Sequence, residues 1–73
     1  MITHLTAEQL RDIATGGGGL EIDGGAFTAE EIRDIATGGR KNGAMLIVHG
    51  AERFTSDELR DIATGNRGNV IFK

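Results

Sequence analysis

Arg11-Asp12-Ile13-Ala14-Thr15-Gly16 recurs without a change as Arg33–Gly38 and again as Arg60–Gly65. The identity extends outward in looser form. Leu5-Thr6-Ala7-Glu8-Gln9-Leu10 precedes the first copy, Phe27-Thr28-Ala29-Glu30-Glu31-Ile32 the second and Phe54-Thr55-Ser56-Asp57-Glu58-Leu59 the third. Leu5 and Phe27 are 22 positions apart and Phe27 and Phe54 are 27 apart, within the range of small αβ repeats. The chain divides into units at 5–26, 27–53 and 54–73, forming one domain over 1–73.

Each unit opens with the signature of a helix start. Thr6, Thr28 and Thr55 stand at the N-cap, with Gln9, Glu31 and Glu58 three positions on, so hydroxyl and N3 side chain satisfy orphan backbone N–H groups reciprocally. Leu5, Phe27 and Phe54 precede the caps and pair with Leu10, Ile32 and Leu59 as hydrophobic staples. Ile13/Ala14, Ile35/Ala36 and Ile62/Ala63 continue the apolar stripe at helical spacing. Gly16, Gly38 and Gly65 are expected to stop the helices in the left-handed conformation. Helices of about ten residues are marginal alone and require packing partners.

A short alternating run follows each helix: Leu20–Asp23, Leu46–His49 and Val70–Lys73. These read as strands, with Leu20/Ile22, Leu46/Val48 and Val70/Phe72 on one face. Glu21, Asp23, Ile47, His49, Ile71 and Lys73 then share the other face. A further short strand over Ile2–His4 is a weaker expectation. Alternating helices and strands imply parallel pairing through right-handed crossovers. The expected fold is α/β, with three tandem units forming a small parallel sheet and all helices on one side.

The paired apolar positions Leu20-x-Ile22, Leu46-x-Val48 and Val70-x-Phe72 resemble the strand of leucine-rich-repeat solenoids. Gly17, Gly43 and Arg67 occupy the place of that family's upstream Leu, and Gly25 and Ala51 stand near its Asn ladder. The resemblance covers nearly the whole chain at the level of architecture. It implies that the open sheet face binds protein partners.

Composition narrows the chemistry. Eight Lys+Arg and eleven Asp+Glu give a net charge of −3, so nucleic acid is a disfavoured partner. Without Cys there is neither a disulfide framework nor a thiolate metal site. The longest apolar run, Ala44–Val48, is far below the ~20 residues of a membrane helix. With no signal-peptide pattern at the N-terminus, the expected location is cytoplasmic. Gly16–Gly19 follows a helix C-terminus, the wrong end for a phosphate cradle. Ser56 has no base and orienter arranged around it, and Asp23 with His49 falls short of a metal ligand set. No catalytic residue, cofactor or metal is assigned, and an enzyme is not expected. Asp23–His49 reads as a cross-strand ion pair, and the repeated Arg-Asp dipeptides as a ladder of pairs between helices.

Charge is unevenly spread, with two basic and seven acidic side chains over 1–36 against six basic and four acidic over 37–73. Arg40, Lys41 and Arg67 fall in helix-to-strand loops and form a candidate phosphate-contacting rim. The favoured reading is a non-catalytic protein-interaction or self-association module, a homo-oligomer or a binder of another protein, acting through Glu21, Asp23, Ile47, His49, Ile71 and Lys73. The alternative is weak nucleic-acid or phosphate binding through the rim.

Overall fold

The computed structural model of the chain describes residues 3–73. Helix α1 spans Ala7–Thr15, α2 Ala29–Gly38 and α3 Ser56–Gly65, alternating with strands β1 Leu20–Asp23, β2 Leu46–His49 and β3 Val70–Phe72. The three strands form one sheet in the order β1-β2-β3, and both pairings are parallel. The expected α/β class and strand order are both observed. The Ile2–His4 strand is not seen at Thr3 and His4, and Ile2 lies outside the described residues.

All three helices begin as the sequence dictates. Thr6, Thr28 and Thr55 each accept the backbone N–H of N3 at 3.2 Å, while the N3 side chain accepts the N-cap N–H at 2.9 Å. An N-cap of this kind stabilises a helix by ~1 kcal/mol. Leu5, Phe27 and Phe54 pack against the core ahead of each cap.

One core joins the layers. Leu10, Ile32, Ile35 and Ile62 of the helices meet Leu20, Ile22, Leu46 and Val48 of the sheet. The molecule measures 29 × 26 × 17 Å, its short axis accommodating one layer of helices on one sheet. Alternation therefore leaves the opposite sheet face without a helix among the described residues.

The helix-stopping glycines depart from expectation. Gly16 caps α1 at φ −78° and Gly38 and Gly65 lie inside their helices, so none is left-handed. The left-handed positions come later, at Gly17 (φ 94°) after α1, Gly43 (φ 68°) after α2 and Gly68 (φ 81°) after α3. Gly38 and Gly65 instead mark where successive helices touch. A Cβ on Gly38 would lie 2.8 Å from the carbonyl oxygen of Arg11 in α1, and one on Gly65 would lie 3.0 Å from that of Arg33 in α2. A side chain at either position would force the helices apart.

Two short 3₁₀ turns, Gly24–Ala26 and Ala51–Arg53, lead from strand to next helix. Buried Asn66 ties two units together, its Nδ2 donating to the carbonyl of Ala44 at 2.8 Å. Asn42 reaches back similarly, donating to the carbonyl of Thr15 at 2.6 Å and to that of Ala14 at 3.2 Å. These amides bind carbonyls at the end of α1 and in the loop after α2.

Candidate functional site

The bare sheet face follows from strand alternation. Leu20, Ile22, Leu46 and Val48 are turned into the core, so their neighbours must face away. In register, Glu21 stands beside Ile47, Ile47 beside Ile71, and Asp23 beside His49. Lys73 extends the ladder past β3, its N–H donating to the carbonyl of Val48 at 2.8 Å. The six residues expected on this face therefore lie along one side of one sheet. Ile47 is half-buried, whereas Ile71 is 40% exposed.

The polar side chains pair differently from the sequence expectation. His49 Nε2 lies 2.5 Å from Glu21 Oε1, not against Asp23. An ionised carboxylate only accepts, so the ring nitrogen is the donor. Asp23 is engaged elsewhere: its Oδ1 accepts the Gly25 N–H at 2.8 Å and caps the first 3₁₀ turn. The shorter side chain satisfies the turn beneath it, while the longer Glu21 reaches its diagonal neighbour on β2. The hydrogen bond from His49 holds the Glu21 carboxyl below its ordinary value of 4.5. Desolvation opposes that shift, and electrostatic attraction from His49 and Lys73 adds to it.

Among the described residues no Arg side chain lies within ion-pair distance of an Asp or Glu, so the anticipated Arg–Asp ladder does not form. Arg11, Asp12, Arg33, Asp34, Arg60 and Asp61 are all exposed and solvated. The helices instead approach one another closely at Gly38 and Gly65, beside carbonyls already bonded within their own helix. Thr15, Thr37 and Thr64 each donate their hydroxyl to the carbonyl four residues earlier, on Arg11, Arg33 and Arg60, at 2.9, 2.8 and 2.8 Å.

The loop rim is only partly assembled. Arg40 and Arg67 line one groove between α2 and α3 together with Arg33, while Lys41 is not part of it. Glu30, Asp34, Glu58 and Asp61 line the same groove and oppose any anion there. No group of three or more His, Asp or Glu is placed to hold a metal ion among the described residues. None of their helices is long and apolar enough to cross a membrane.

Residues that the sequence did not single out are Asn42 and Asn66, which reach across units, and Gly38 and Gly65, read there only as helix stops. The only sequence signal for the glycines was their place in an invariant segment. The asparagines carried none, because an amide in a loop gives no sign of the carbonyl it will find. Searches of family models, curated proteins and solved structures yield no match to this chain.

Proposed function

We propose that the chain is a non-catalytic interaction module that binds protein through the bare face of its sheet. One observation carries the reading: Ile47 and Ile71 adjoin on a parallel sheet face that no helix among the described residues covers. Parallel sheets are normally buried on both sides, so an uncovered one with adjacent apolar side chains is suited to a partner surface. The resemblance to leucine-rich-repeat solenoids favours the same face.

Ile47 and Ile71 supply buried area. Glu21 with His49, and Lys73 beyond them, form a polar rim that selects partner and register. Asp23 contributes indirectly by fixing the turn that follows β1.

The test is replacement of exposed Ile71 by Asp. Proteins retained by the immobilised chain should be lost, while the far-ultraviolet circular dichroism stays unchanged. The alternative, phosphate binding through Arg40, Lys41 and Arg67, draws on the shared position of Arg40 and Arg67 in one groove. Retention that survives Ile71→Asp but disappears with Arg40→Glu/Lys41→Glu, or above about 0.2 M salt, would favour the rim instead.

A further inference from the structure

The invariant segment makes both helix–helix joints inside the molecule, and it makes them the same way. Gly38 of α2 sits against the Arg11 carbonyl and Thr15 hydroxyl of α1, and Gly65 of α3 sits against the Arg33 carbonyl and Thr37 hydroxyl of α2. Among the described residues one half of each joint remains unused in the first and the last unit. Of these residues, Asp12 and Ile13 of its own helix stand near the position of a Cβ on Gly16. At the far end Arg60 and Thr64 already carry the hydroxyl-to-carbonyl bond of the receiving surface, with the same 2.8 Å geometry as Arg33 and Thr37.

The apolar side chains repeat this pattern. Ile35 and Ile62 are fully buried, whereas Ile13, the same residue in the same hexapeptide, is 38% exposed. On the opposite end Ala63 is only partly buried although its counterpart Ala36 is 1% exposed. Among the described residues β1 and β3 each have one strand neighbour, on these same sides. The two surfaces lack a unit of this same geometry.

We infer that a second copy of this chain occupies that place, its α1 docking on α3 of the first so that Gly16 meets the Arg60 carbonyl. The occupant is specified by continuity: the same six residues that form the internal joints recur in the first and the last unit. Strand β1 of the incoming copy extends the sheet past β3 in parallel register, continuing the open face from one molecule to the next. The contact is heterologous, so each copy retains one free end of each kind and assembly is open-ended. It uses end surfaces rather than the bare sheet face and stands whether or not that face binds a partner.

The test uses the intact chain in sedimentation-velocity runs over a wide concentration range. The weight-average mass should rise without levelling at a dimer. Ile13→Asp blocks one end and Thr64→Arg the other; both positions are exposed, so circular dichroism should show the monomer fold intact. Each variant alone should remain a monomer, and an equimolar mixture should give a discrete one-to-one dimer through the two unblocked ends. Ile47→Ser, on the central strand and away from both end surfaces, should leave self-association unaffected while weakening a partner bound on the sheet face. A mass that stays monomeric at all concentrations, an assembly indifferent to Ile13→Asp, or a mixture of the two blocked variants that stays monomeric would overturn the proposal.

Discussion

Replacing Gly38 by Ala tests whether that glycine is a helix stop or a point of helix–helix contact. In an unobstructed helix the change stabilises by about 1 kcal/mol, because alanine loses less backbone freedom on folding. Here the new Cβ would lie 2.8 Å from the Arg11 carbonyl oxygen and 2.7 Å from Arg11 Cγ. The Cγ belongs to an exposed side chain that can swing aside. The carbonyl cannot, because it accepts the Thr15 hydroxyl within α1. Helices α1 and α2 must therefore separate by several tenths of an ångström, at an overpacking cost of about 1–3 kcal/mol. The net expectation is destabilisation by about 1 kcal/mol where propensity alone predicts the reverse. Gly16→Ala is the internal control, the same letter in the same hexapeptide, with nothing closer to its Cβ than Ile13 O at 3.4 Å. At concentrations where the chain is monomeric it should be neutral or stabilising by up to about 1 kcal/mol. Urea unfolding followed by circular dichroism, with unchanged denaturant dependence, reads the difference. A small domain of this kind has only ~3–5 kcal/mol of core stability, so a gap of this size is a large shift in midpoint. Equal stabilisation by Gly38→Ala and Gly16→Ala would refute the close-contact assignment.

Asn66→Ala should destabilise the fold by about 1–3 kcal/mol, since it leaves the Ala44 carbonyl without its 2.8 Å donor in a buried place. Asn66→Asp should cost more, because a carboxylate facing that carbonyl presents two acceptors to each other, and urea midpoints would rank the two variants. The Glu21 carboxyl should titrate below 4.5 by carbon-detected nuclear magnetic resonance, and His49→Ala should raise its midpoint. Because the folded-state value is lowered, the stability from this pair is present above the ordinary carboxylate value and is lost as pH falls through the lowered Glu21 value. An unmoved Glu21 midpoint in the His49→Ala variant would remove the pair from any account of the face.

What the sequence made legible was everything decided within a few residues or by strict periodicity. The capping boxes at Thr6, Thr28 and Thr55 need only a hydroxyl and a carboxylate or amide three positions on, and all three form. Strand faces follow from alternation, and parallel order follows from a helix between each pair of strands. The candidate face was legible for the same reason. The pairing across it was not, because Asp23 had a local use that alternation does not describe. Its carboxylate caps the turn at Gly25, leaving His49 to the longer Glu21 on the neighbouring row.

The glycines mark the boundary between what a chain states locally and what only its neighbours decide. A glycine at the end of a helical pattern has two physical uses, a left-handed turn or a surface that lets another backbone approach, and both leave the same letter. Gly38 and Gly65 have the second use because α1 and α2 lie beside them. Gly16 has the same sequence around it and no such neighbour, so nothing among the described residues requires its lack of a side chain. Ile13 is parallel: an isoleucine whose counterparts are fully buried stands 38% exposed for want of a neighbouring unit. Two residues of one hexapeptide thus point to the same unfilled position. An exposed isoleucine alone would be ordinary, since folded surfaces carry many apolar atoms. The force of the observation lies in its pairing with a glycine whose two counterparts each receive the helix before them.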